Sequence, residues 1–183
     1  MDKSSRRLRP KRRLRILLVL LLIVAIMVSF YKSIFIFSLI LVVASLLQFL
    51  TYSAGFKYNL GHVFFLSIIA ARELGLFEGF ALIILAGFVP KMLKNDIDLK
   101  SISQIPIEMF LVFLSTAVIL PLPLMGTILS MINYSLMYLA AKFSGESIAE
   151  IITETALPFF MNLIYFLSMS GPIVSIISKF IAI

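Results

Sequence analysis

The stretch ILLVLLLIVAIMVSF YKS IFIFSLILVVASLLQFLT, residues 16–51, decides the class of this protein. It is two apolar runs, Ile16–Tyr31 and Ile34–Thr51, separated only around Lys32. A helix needs about 20 apolar residues to cross the ~30 Å hydrocarbon core of a bilayer, somewhat fewer where its ends snorkel. Upstream of the first run lies a cationic tail: eight of the sixteen basic residues fall within the first fifteen positions. Arg6, Arg7, Arg9, Lys11, Arg12, Arg13 and Arg15 sit directly before apolar sequence, where basic residues hold a segment on the cytoplasmic side and contact anionic lipid headgroups.

Composition agrees with that reading. The 183 residues are 61% hydrophobic and 14% charged, and the mean hydropathy is +1.10. Soluble domains carry roughly 25% charged residues, and a chain this small has too much surface for its volume to hide so much apolar area from water. The net charge of +7 is concentrated in the tail, which argues for lipid headgroups and against nucleic acid as the anionic partner. With no cysteine there is no disulfide, thiolate metal site or cysteine nucleophile. Val28-Ser29-Phe30-Tyr31 offers no small-x-small cleavage site, so an uncleaved first helix is expected.

Continuing the division along the chain gives five more runs: Leu60–Ala71, Phe77–Val89, Ile105–Leu120, Leu122–Ala141 and Ala156–Ile177. The expected fold is all-α, a polytopic transmembrane bundle of six to seven spans, with residues 1–15 as a cytoplasmic tail and 16–183 as one membrane domain. The third run is the shortest, at twelve residues before Arg72. With seven crossings and the N-terminus inside, thirteen basic residues lie on the inner side and three, Lys32, Arg72 and Lys179, on the outer. If the third run is re-entrant, everything after it inverts.

Two connections are longer than the rest. Lys91–Gln104 is polar. Lys142–Thr155 carries Glu146, Glu150 and Glu154 at helical spacing around Ile148, Ile151 and Ile152, the pattern of a short amphipathic helix lying in the interface. Pro121-Leu122-Pro123 predicts a sharp turn, Pro158 the first turn of the last span, and Ser170-Gly171-Pro172 a kink.

Polar groups within apolar sequence are costly and mark candidate sites. His62, Arg72, Glu73 and Glu78 lie close together with three glycines. Two readings are open. In one, Arg72, Glu73 and Glu78 form a water-exposed hairpin turn and His62 snorkels at the other interface. In the other, some of them line a polar cavity. His62 and Glu73 share a helix face but stand about 16 Å apart along it. Asn133, Asn162 and Gln48 are neutral amides inside spans, suited to interhelical hydrogen bonding or to ligand contact. Gly75 and Gly79 have the spacing of a close helix contact. Asp96-Ile97-Asp98 reads as solvated charge, and no Gly-x-Ser-x-Gly, HExxH, P-loop or paired intramembrane aspartates occur, so no enzyme activity, cofactor or metal is expected.

The stretch Tyr58-Asn59-Leu60-Gly61-His62-Val63-Phe64-Phe65, with Gly75-Leu76-Phe77-Glu78-Gly79-Phe80-Ala81 and Ala86-Gly87-Phe88, resembles the substrate-binding S components of energy-coupling-factor transporters. The MreD cell-shape proteins are similar in size, hydropathy and spacing. The likeness covers roughly residues 34–180 in architecture and about thirty residues in pattern. S components have six spans with both termini inside, one fewer than the runs here, and an alanine-x-x-x-alanine pair that is not evident in this first helix. The S-component resemblance implies capture of a small vitamin-like solute near the outer face, with a partner subunit supplying energy. Asn133, Asn162 and Tyr165 would line the pocket, with Arg72 and Glu73 at its rim. The MreD resemblance implies instead an accessory subunit that works through membrane partners and holds no ligand.

Overall fold

A computed structural model describes residues 31–53, 60–94, 97 and 99–182. The basic tail, including Arg6 to Arg15, and the first run as far as Phe30 lie outside the described residues.

Each of the six apolar runs from Ile34 onward is helical. The elements are α1 (Lys32–Ser53), α2 (His62–Glu73), α3 (Leu76–Leu82), α4 (Val89–Leu93), α5 (Leu99–Ala117), α6 (Leu122–Phe143), α7 (Ile148–Ile164) and α8 (Ser170–Ala182). A π-helical segment, Ile83–Phe88, joins α3 to α4, and another, Tyr165–Met169, joins α7 to α8. Among the described residues there is no strand.

Four of the resulting rods are long and apolar enough to cross a membrane: Lys32–Ser53, Leu76–Leu93, Leu122–Phe143 and Ile148–Ile181. The other two fall short for physical reasons. α2 has twelve residues, about 18 Å at 1.5 Å per residue, against a hydrocarbon core of about 30 Å. α5 has length, but its first three turns carry Lys100, Ser101, Ser103, Gln104 and Glu108. The outward faces of the rods and of α5 carry exposed Leu39, Val42, Leu46, Leu50, Phe110, Phe113, Phe160 and Ile176. Water would not tolerate so large an apolar surface, whereas lipid suits it.

The short helix is the centre of the bundle. Nine of the twelve residues of α2 are buried, as expected of a helix apolar on every side. Phe64, Phe65, Ile68, Ile69 and Ala71 meet Ile83, Leu111, Val112, Met125, Leu129 and Phe166 in the main core. Val63 and Ala70 pack with Ala44, Leu82 and Ala86 on another side. α2 and α3 approach closely because Gly79 is bare: a Cβ there would lie 2.6 Å from Ala71 Cβ and 2.8 Å from the Ser67 carbonyl. Gly75, at φ 147, makes the turn between them, and Arg72 ties this end of the bundle together by donating to the Leu120 carbonyl at 2.9 Å.

Turn chemistry sets the remaining ends. Pro121 adopts φ −54, ψ 137 directly before α6, as the double-proline turn requires. Gly145 at φ 81 terminates α6, with backbone bonds from Gly145 to Lys142 and from Glu146 to Ala141 that close its last carbonyls. Ser147 and Glu150 form a reciprocal capping box that starts α7 at Ile148. Residues 148–155 are therefore not a separate interfacial helix: they are the first two turns of the last rod. Pro158 accordingly lies inside α7, not in its first turn. The expected break at Ser170-Gly171-Pro172 takes the form of the π turn just before it, which absorbs the proline's clash with the preceding helical turn.

Candidate functional site

Because α2 begins with Gly61 beside Pro158 and Asn162, well inside the α7 rod, one end of the bundle has no central helix. There the surrounding helices enclose a cavity of ≈ 250 Å³, slightly below the ~300–1,000 Å³ of ordinary ligand sites. Tyr52 of α1, Gly61 and Phe64 at the start of α2, and Lys91 of α4 form one side. α5 contributes Lys100, Ser101, Gln104 and Glu108; α6 contributes Ser130, Asn133, Tyr134 and Met137; α7 contributes Glu154, Thr155, Pro158, Phe159 and Asn162.

Charge is organised at its mouth. Lys100 donates to Glu154 Oε2 at 2.6 Å and to Glu146 Oε2 at 3.0 Å, tying the start of α5 to the loop before α7 and to α7 itself. Its side chain is 10% exposed, against 21% for Glu146 and 31% for Glu154. Burial pulls the Lys100 ammonium down, but the two carboxylates outweigh it and hold the group above its ordinary value. Lys91 donates to Ser101 Oγ at 3.2 Å and Gln104 Oε1 at 3.0 Å. Gln104 in turn donates to Glu108 Oε1 at 2.6 Å. Glu108 is buried, a carboxylate held by one amide and the nearby Lys91.

Deeper in, two amides present acceptors. Asn162 is 2% exposed, and its Oδ1 has no hydrogen-bond partner; Asn133 Oδ1 is likewise buried and unmet. An unpaired buried acceptor costs about 1–3 kcal/mol, a cost that both oxygens carry in this arrangement. The backbone at Gly61 leaves room for the Asn162 amide. A Cβ at that position would lie 2.8 Å from both of its terminal atoms, and φ 73 favours glycine in any case. Tyr134 and Phe159, whose rings stand 5.2 Å apart, form an aromatic wall.

The residues singled out from the sequence divide accordingly. Asn133 and Asn162 come together on the cavity. His62 is buried on the α1–α2 seam, with Nε2 3.3 Å from the Ala44 carbonyl. Gln48 lies one turn further along the same face of α1, fully buried with neither amide atom partnered. Tyr165 starts the second π turn and packs on Phe65 at 5.3 Å. Arg72 and Glu73 are at the far end of α2, about 17 Å from Gly61 along the helix, with Arg72 bonded to Leu120.

Lys91, Lys100, Gln104, Glu108 and Glu154 were not anticipated as a group. Glu108 carried a readable signal, being the only acidic residue within the run Ile105–Leu120. The Lys100 pairings did not, since the partners are 46 and 54 residues away. Among the described residues no group of histidine, aspartate and glutamate could hold a metal ion. No protein-family model matches this chain, and no curated protein or solved structure does either.

Proposed function

We propose that this chain is a multi-pass protein of the cell membrane that binds a small solute in the cavity between α5, α6 and α7, in the manner of a transporter's solute-binding subunit. The observation that carries the reading is the cavity of ≈ 250 Å³, which brings Asn133 and Asn162 together with Lys91, Lys100, Glu108 and Glu154 around one space. The sequence has no nucleotide-binding loop, so energy for transport comes from a partner subunit, and the chain itself is not an enzyme.

A ligand that binds only the folded state raises the unfolding free energy by about 2.7 kcal/mol at a hundredfold excess over its dissociation constant. Purified protein screened against vitamins, nucleobases and amines should show such a thermal shift, and Asn162→Leu should abolish it with the helical fold intact. No shift with any compound, no co-purified small molecule and a stoichiometric membrane partner in pull-downs would establish the accessory-subunit reading instead.

Orientation is the second element of the proposal. The tail places the N-terminus in the cytoplasm, and with the first run crossing, the cavity end of the bundle faces inward together with Lys91, Lys94, Lys100 and Lys142. A six-span S-component arrangement would turn that end outward. The absence of native cysteine allows a clean comparison. In intact cells, Ser144→Cys in the exposed turn beside the cavity should be protected from an impermeant maleimide, whereas Ile119→Cys, at a position 97% exposed at the other end, should react. The reverse pattern would give the outward-facing arrangement.

A further inference from the structure

We propose that Glu108 is a proton-binding site built into the cavity wall, and that filling the cavity with solute draws a proton onto its carboxyl. The inference rests on the reading of this cavity as a solute site and adds a proton to what that site binds.

Glu108 is 3% exposed, yet it lines the ≈ 250 Å³ cavity and also a smaller recess between α5 and the first π segment. Lys91, Ser101 and Gln104 border both spaces with it. Its one hydrogen bond among the described residues comes from the Gln104 amide, which donates to Oε1 at 2.6 Å. The other end of that amide is fixed, because Gln104 Oε1 accepts from Lys91 at 3.0 Å. Glu146 and Glu154 have their charge matched in direct contact with Lys100. Glu108 has an amide in that place. Its ionised form therefore carries a desolvation cost that one N–H offsets only in part and that a proton removes.

Few other ionisable groups pack around it among the described residues. Lys91 comes from α4, Tyr52 from α1, Tyr134 from α6 and Glu154 from α7. On α5 itself, Lys100 is taken by Glu146 and Glu154. α2 and α3 present none to either space: His62 lies on the α1 seam, Arg72 bonds Leu120, and Glu78 lies against Gly75 at the far turn.

Occupancy of the cavity changes the balance at this carboxyl. Solvent in the cavity helps to carry the charge of the ionised form, and a solute without positive charge takes that help away when it displaces the solvent. The protonated form is then favoured, so solute and proton bind together. The linkage is reciprocal: a full cavity that holds the proton more tightly is itself favoured as pH falls and loosened as pH rises.

The absence of native cysteine allows the cavity to be filled before the solute is known. Met137 lines it and is 8% exposed. The purified full-length Met137→Cys protein is modified with benzyl methanethiosulfonate, which adds an uncharged group, and mass spectrometry confirms the label. Thr155→Cys, on the α7 wall, carries the same label if Met137→Cys does not fold. Infrared difference spectroscopy follows the protonated-carboxyl band from about pH 5 to about pH 9, and Glu108→Gln in the same background identifies the part due to Glu108. Glu108 should titrate within that range, and the benzyl group should raise its midpoint by about one pH unit, a roughly tenfold gain in proton affinity. Removing the nearby ammonium in Lys91→Met should raise the midpoint as well. A Glu108 that stays wholly ionised or wholly protonated throughout would overturn the proton site. A midpoint that the benzyl group leaves unmoved or lowers would overturn the coupling. Neither result bears on whether a solute binds, which the thermal-shift screen decides separately.

Discussion

Lys100→Met should lower the unfolding free energy by about 2–3 kcal/mol, the larger share arising from what it leaves behind. Removing one partner of a buried ion pair typically costs about 3–5 kcal/mol, because the other charge stays in low dielectric without compensation. Here two carboxylates are abandoned, but they keep 21% and 31% of their side-chain surface, so water recovers part of the loss. The sign of the repair distinguishes a stabilising bond from a stranded charge. The triple variant Lys100→Met, Glu146→Gln, Glu154→Gln should regain most of the stability, since replacing a whole buried network is often neutral. Chemical unfolding of the purified protein in detergent measures both. A triple variant as unstable as the single would show that the cost lies in lost packing of the lysine stem.

Gly126→Ala should be equally damaging, against the expectation from helix propensity. In the interior of a helix, alanine is favoured over glycine by about 1 kcal/mol, and Gly126 lies within α6. A Cβ there, however, would overlap the ring atoms Cγ, Cδ1 and Cε1 of Phe166. Phe166 is fully buried and packs edge-on to Phe65 at 5.0 Å, so it has no empty space to move into. Overpacking costs about 1–3 kcal/mol, occasionally more, and with overlap this deep the net loss should be about 2–3 kcal/mol. Adding Phe166→Leu to Gly126→Ala should recover much of it, giving a favourable coupling in a double-mutant cycle. Purely additive losses would mean that α6 and the second π turn can slide apart.

The helices from Ile34 onward were legible because each of those apolar runs is long enough to show itself without neighbours, and even the twelve-residue third run forms a helix. The start of α7 lies eight residues before the expected Ala156, where Pro158 had suggested a first turn. Ser147-Ile148-Ala149-Glu150 is a capping-box sequence, and the structure forms that box. The π turns were not legible: they depend on how Phe166 and Pro172 are accommodated by neighbouring helices, which no local pattern encodes. At the site, Asn133 and Asn162 stood out as amides within apolar sequence. Lys100 and Glu154 did not, because each looks like ordinary loop or interface charge until α5 and α7 are brought together. Gly61, one of the three glycines near the polar cluster in the sequence, acquires its particular meaning only from the proximity of Asn162.

The shortness of α2 has a consequence for how the chain is made. A segment of twelve residues is poorly suited to enter the bilayer alone, so it has to be delivered with α3, the two joined by the Gly75 turn and the small Ala71–Gly79 contact. Its first turn then meets Pro158 and Asn162, which are synthesised almost a hundred residues later. Lys100 likewise waits for Glu146 and Glu154. Until the last rod arrives, the nascent protein therefore holds an uncovered helix end and a lone ammonium near the membrane. That intermediate is the kind of species that membrane chaperones and quality-control proteases recognise.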